Sequence, residues 1–159
     1  MKKRVYLETT VVSYLAARPS RDIIVAGHQA ATRDLWPFLT GRYETFISAL
    51  VYEEAGNGDP EQARMRLSAV EPFPMLDIDD EARLLAQKIV EGKGVPADYP
   101  EDALHIAVAA VHGIDFVVTW NFAHLNNPFT RRMIRRIIEK EGYVSPEICS
   151  PEELLEAEK

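Results

Sequence analysis

Short apolar runs alternate with segments of helical period along the whole chain, and this alternation limits the fold more than any other feature. The clearest run is Asp115-Phe116-Val117-Val118-Thr119, mainly apolar as a strand covered on both faces must be. Arg4-Val5-Tyr6-Leu7, Tyr43 to Ile47, Pro72 to Ile78 and Ile148-Cys149 read as further strands, the third at a sheet edge because two prolines would damage a central position. Helix-start chemistry lies between them. Glu8-Thr9-Thr10 opens a helix straight after the first strand, and Ser20 with Asp22 caps a second, whose predicted face is Ile24, Gly27, Ala31 and Leu35 and whose predicted stop is Trp36-Pro37. Ser48 starts a short helix that ends before Gly56 and Gly58. Asp59-Pro60-Glu61-Gln62 starts another, and Asp79 caps one that ends near Gly92. Pro100-Glu101-Asp102 opens a helix with Leu104, Ala107, Val108 and Val111 on its apolar face. Asn127-Pro128 begins a helix to about Glu141, and Ser150-Pro151-Glu152-Glu153 is a capping box. The pattern predicts an α/β fold, a three-layer α/β/α arrangement with a mostly parallel central sheet.

The 159 residues, 47% of them hydrophobic, suffice for one domain with its own core. Residues 1–159 are read as a single domain, with a C-terminal helical extension from about 127. A single cysteine, Cys149, excludes a disulfide framework or a zinc site of several thiolates, and fits a cytoplasmic protein. No apolar run approaches the roughly 20 residues of a membrane span, and no membrane association is expected. The net charge of −7 has the wrong sign for nucleic-acid binding by bulk electrostatics. Charge is uneven, however: residues 127–138 carry four arginines and no acid, whereas residues 139–159 carry seven glutamates and two lysines. Arg131 with Arg135, and Arg132 with Arg136 and Lys140, recur at helical spacing opposite Met133, Ile134, Ile137 and Ile138. That stripe reads either as the solvated face of an amphipathic helix or as a contact for RNA phosphates or a partner.

In an open parallel sheet, functional groups gather outside the carboxyl ends of the strands. Glu8 follows the first strand, Glu54 lies on the helix after the second, Asp102 is in the first turn of the helix before the Asp115–Thr119 strand, and Asn121 follows that strand. Taken singly, Asp102 complements a helix dipole, Glu54 lies on a solvated face, and Asn121 is a turn residue. As a set, carboxylates sharing one cleft repel unless a cation neutralises them, and hard oxygen ligands suit Mg²⁺ or Mn²⁺.

The set resembles the PIN-domain family of nucleases. The resemblance is carried by Val5-Tyr6-Leu7-Glu8-Thr9-Thr10, by Ser48 with Glu54 six residues on, by Asp102-Ala103-Leu104-His105-Ile106-Ala107, and by Val117-Val118-Thr119-Trp120-Asn121 ahead of His124-Leu125. It runs from residue 5 to about 125. It implies a PIN-like fold and a metal-dependent endoribonuclease, most closely the toxin of a VapC-type toxin–antitoxin pair. Glu8, Glu54 and Asp102 would be metal ligands for Mg²⁺ or Mn²⁺, and these three with Asn121 the catalytic set. The implied partners are an RNA substrate, a cognate antitoxin protein and a second copy of the chain in a homodimer. Thr9 and Thr119 would orient ligands through their hydroxyls. Glu8 stands where the family usually has Asp, one methylene longer, and Asn121 stands where it has a carboxylate. The alternative these departures suggest is a PIN-like binding module without strong catalysis.

Glu53 competes with Glu54, since adjacent helical residues point about 100° apart and only one can face the cleft; family spacing favours Glu54. Asp77-Ile78-Asp79 has the Asp-x-Asp form of haloacid-dehalogenase phosphatases, but Asp80 and Glu81 follow where that pattern wants Thr or Val. His28, His105, His112 and His124 show no paired metal spacing and read as surface or core residues. No glycine-rich phosphate loop or serine nucleophile elbow is present.

Overall fold

Five strands, β1 (Arg4–Leu7), β2 (Glu44–Ser48), β3 (Met75–Leu76), β4 (Phe116–Val118) and β5 (Glu147–Cys149), form one sheet in the order β3-β2-β1-β4-β5. The structure is a computed structural model and describes residues 1–158. Every pairing is parallel, with Tyr6 opposite Phe46 on one side and Val117 on the other. Eight helices occur among the described residues: α1 (Thr9–Ala16), α2 (Ile23–Gly41), α3 (Ala49–Ala55), α4 (Pro60–Val70), α5 (Asp80–Glu91), α6 (Pro100–Val111), α7 (Pro128–Lys140) and α8 (Pro151–Glu156). α1 packs on α2, α3 and α4, and α2 on α8, while α5 packs on α6 and α7, which gives the three-layer α/β/α arrangement.

The chain builds outward from β1 through β2 to β3, then returns to place β4 on the other side of β1. Connections therefore leave β1 and β4 in opposite directions, and a crevice opens at their carboxyl ends. Val5, Tyr6, Leu7, Val117 and Val118 have no exposed surface, as expected of inner strands covered on both faces. The expected caps are present. Asp22, Ser48, Asp59, Asp79 and Asn127 each accept a hydrogen bond from a backbone N–H of the first helical turn, and Ser150 with Glu153 forms a complete capping box.

Four expectations are corrected. Pro37 does not stop α2, which continues to Gly41. A proline removes the bond to the carbonyl four residues earlier; here Arg33 and Pro37 both lie on the solvent side, while Leu35 and Leu39 are buried and hold the helix through the break. The buried face of α2 is also rotated from the predicted one: Gln29, Thr32, Leu35 and Leu39 point inward, and Ile24 is 66% exposed. Polar groups can face inward because they are bonded, Thr32 to the His28 carbonyl and the Trp120 indole N–H, and Gln29 to Ser20 and Arg18. On α7, Ile134 and Ile138 are buried as expected, but Met133 is exposed. The predicted face of α6 is too narrow, since Ala103 and every residue from His105 to Ala110 are buried.

Candidate active site

Glu8 is the N-cap of α1, one residue past β1, and 4% of it is exposed. Its backbone N–H donates to the Val118 carbonyl, which ties the end of β1 to β4. Its Oε1 accepts from the backbone N–H of Thr10 (3.1 Å), from the Thr10 hydroxyl and from the Thr119 hydroxyl (2.7 Å). The carboxylate folds back to cap α1 and also reaches Thr119, the residue after β4.

Glu54 is half-buried near the end of α3, and Glu53 is exposed, so Glu54 is the one turned inward. Its Oε1 accepts from the Thr9 hydroxyl at 2.6 Å and lies 2.7 Å from His105 Nε2. His105, 1% exposed on α6, has Nδ1 2.6 Å from Tyr6 Oη, and that hydroxyl is 2.8 Å from Ser48 Oγ. Burial works against the charge on Glu54, but the hydrogen bond and charge of His105, with the Thr9 hydroxyl, hold its carboxyl below the ordinary value. Burial likewise disfavours the imidazolium, yet the Glu54 hydrogen bond and the charges of Glu8, Glu54 and Asp102 raise the His105 pKa. When protonated, the ring donates from both nitrogens, to Tyr6 and to Glu54. Burial pushes the Tyr6 hydroxyl far above its ordinary range, so it stays protonated.

Ligand atoms of Glu8, Glu54 and His105 all lie within 4.8 Å of one another. No hydrogen bond among the described residues uses Oε2 of Glu8 or of Glu54. Each carboxylate is thus fixed through one oxygen and keeps the other, and this donor set fits a hard divalent cation. A cleft of about 420 Å³ opens here, lined by Glu8, Thr9, Thr10, Ser13, Tyr14 and Glu54.

Asp102 and Asn121 lie outside that group of three but in the same hydrogen-bonded network. Asp102 Oδ2 is 2.9 Å from His124 Nδ1. The His124 backbone N–H donates to Asn121 Oδ1 (3.1 Å), and the Asn121 N–H donates to Thr119 Oγ1 (2.9 Å), the hydroxyl that holds Glu8. Sequence reasoning missed His105. The available signal was its position three residues after Asp102, which puts both on one helical face.

The other candidates do different work. Asp79 uses its carboxylate to cap α5 at Ala82. Burial, followed by Glu153 and Glu147, pushes the Cys149 thiol up to about 12, so it remains a protonated, weak nucleophile at neutral pH. Arg131, Arg132, Arg135 and Arg136 line a cleft of about 440 Å³ between α7 and β5. Arg131 donates to Asn126 and Arg135 pairs with Glu147, whereas Arg132 and Arg136 have no hydrogen bond or ion pair among the described residues.

An inner parallel sheet whose order reverses beside two half-free carboxylates defines a class: α/β domains with an acidic, metal-competent cleft at the switch point. A family model of the PIN domain matches residues 5–127, and the chain belongs to the PIN-domain family, whose members are nucleases. Among solved structures, a chain of VapBC2 from Rickettsia felis, bound to a DNA fragment from its promoter, is similar with a TM-score of 0.61 and 15% sequence identity. The match covers 92% of this chain and 98% of that one, and at this identity it shows a shared fold. No curated protein sequence matches the chain. No helix among the described residues is long and apolar enough to cross a membrane.

Proposed function

We propose that this PIN domain is a divalent-metal-dependent endoribonuclease and the toxin of a toxin–antitoxin pair. The observation that carries the reading is the pair Glu8 and Glu54, each locked through Oε1 and free at Oε2, where the connections from β1 and β4 part. Glu8 and Glu54 would hold Mg²⁺ or Mn²⁺, with Asp102 as the third carboxylate. When bound, such an ion supplies hydroxide from water at neutral pH and offsets charge on the scissile phosphate. The chain's own contribution is orientation. Thr10 and Thr119 fix Glu8, Thr9 and His105 fix Glu54, and His124 fixes Asp102. Asn121 serves the set by anchoring the turn that carries His124, and its side-chain N–H groups carry no hydrogen bond among the described residues, so they can hold a water.

The similar fold of VapBC2, a complex, supports a cognate antitoxin as partner. We include in the proposal a homodimer, a cytoplasmic location, and a single domain over residues 1–159 with a mainly helical extension from about 127. Crystals soaked in Mn²⁺ should show anomalous density between Glu8, Glu54 and Asp102. Density at Asp77 and Asp79 instead would overturn the site.

A second reading, a PIN-like binding module, is favoured by one observation: Asn121 stands in place of a carboxylate, and its Oδ1 is already taken by the His124 N–H. Metal affinity separates the two. A metal-binding site gains about 2.7 kcal/mol of stability at 100 times its dissociation constant, whereas a module without metal shows no Mn²⁺-dependent shift in melting.

The unpaired guanidinium groups of Arg132 and Arg136 lie one helical turn apart, about 6 Å along α7, on an otherwise acidic chain. Replacing both by Ala should weaken RNA binding and reduce the slope of log affinity against log salt by about one for each phosphate that is no longer neutralised. An unchanged slope would make the stripe a solvated or protein-binding face.

A further inference from the structure

We infer that Tyr99, stacked on His124 at the rim of the acid site, is a platform for one base of a single-stranded RNA and thereby helps decide which strands the site accepts; this inference rests on the ribonuclease reading above. Tyr99 occupies the N-cap of α6, where Ser, Thr, Asp or Asn is preferred, and its side chain makes no capping bond. Helix stability therefore does not account for a tyrosine there. Burial does not account for it either, since 48% of Tyr99 stays exposed. No hydrogen bond among the described residues uses its hydroxyl.

The Tyr99 ring lies instead against the His124 ring, centroids 4.1 Å apart and planes 35° apart. His124 is held by Asp102 through Nδ1, so the Tyr99–His124 pair is fixed to a carboxylate of the proposed site. A second aromatic group begins in the same loop after β4, which carries His124. Phe122, 45% exposed, meets the rings of Trp120 and His28 edge-on, and Trp120 in turn meets Tyr14, which lines the cleft of Glu8 and Glu54. Exposed rings thus connect to Asp102 through His124 and to the cleft of Glu8 and Glu54 through Trp120 and Tyr14, while no basic side chain of the described residues lines that cleft, so the site offers stacking where cationic partners for phosphate are few. Stacking needs an unpaired base with a free face, which selects single-stranded RNA over duplex.

The test uses the whole chain without added metal and a short single-stranded oligoribonucleotide carrying 2-aminopurine, whose fluorescence falls when it stacks on a ring. Wild type and Tyr99→Phe should quench the probe and bind alike. Tyr99→Leu should lose the quench and bind about 5- to 150-fold more weakly, with its melting curve unchanged. With metal, Tyr99→Leu should raise KM and leave kcat nearly intact. A duplex of the same sequence should bind both proteins equally.

Quenching and affinity unchanged in Tyr99→Leu, with wild type still cleaving RNA, would overturn the platform and leave the nuclease reading standing. Equal weakening for duplex and single strand would also overturn it, because the residue would then act through structure rather than stacking. A wild type that neither binds the probe nor cleaves RNA would overturn the ribonuclease reading itself.

Discussion

Asp102→Asn is expected to fold and melt like the parent chain while losing metal-dependent RNA cleavage by about 10²-fold or more. The substitution keeps shape and keeps an oxygen for the His124 Nδ1–H, so the contact between α6 and the loop after β4 survives. The first turn of α6 retains Glu101 but loses one negative charge, which costs on the order of 0.3–1 kcal/mol of dipole complementarity. Against this, one charge fewer beside Glu8 and Glu54 relieves repulsion in the metal-free protein. Stability therefore moves little. Activity moves far, because the proposed ligand set loses a carboxylate and with it both metal affinity and charge on the phosphate. RNA cleavage with Mg²⁺ or Mn²⁺, measured beside a thermal melt, checks the prediction. Cleavage unchanged in folded Asp102→Asn protein would remove Asp102 from the catalytic set.

The sequence made legible those features that depend on local chemistry. Capping residues marked helix starts at Asp22, Ser48, Asp59, Asp79, Asn127 and Ser150 because a side-chain oxygen two or three residues from a free N–H acts locally. The same locality placed Glu8 at the end of β1 and Glu54 on the helix after β2. What depends on tertiary surroundings was hidden. Pro37 signals a stop by propensity, but buried Leu35 and Leu39 on either side of it outweigh that signal. His105 has no sequence neighbour that announces a metal or acid partner; Tyr6 and Glu54 reach it only after β1, α3 and α6 assemble. Asp102 shows a limit of another kind. Its position in α6 was legible, but its bond to His124 joins α6 to the loop after β4, 22 residues further along the chain.

The buried His105 predicts the largest stability effect. It bonds Glu54 on one side and Tyr6 on the other, and Tyr6 passes the chain to Ser48, so one ring satisfies polar groups from β1 and α3. His105→Ala removes a charge-assisted hydrogen bond, leaves Glu54 without its counter-charge and opens a cavity in the core. The expected cost is about 3 kcal/mol or more, or a melting temperature lower by about 6–12 °C for a chain of this size. His105→Phe fills most of the cavity but restores no bond, and its smaller loss separates packing from polar pairing.

The pH dependence of that difference identifies the ionised pair. The His105 pKa is raised in the folded chain, so its contribution is complete below the unfolded value of 6.5 and is lost as pH climbs through the folded value. The Glu54 pKa is lowered, so its contribution is complete above the unfolded value of 4.5 and is lost as pH falls through the folded value. In metal-free protein the stability gap between parent and His105→Phe should therefore be widest between 4.5 and 6.5 and narrow on both sides. A gap that stays constant from about pH 4 to pH 9 would mean that the two groups meet as neutral partners, since only a change in proton binding between folded and unfolded chains can give the gap a slope.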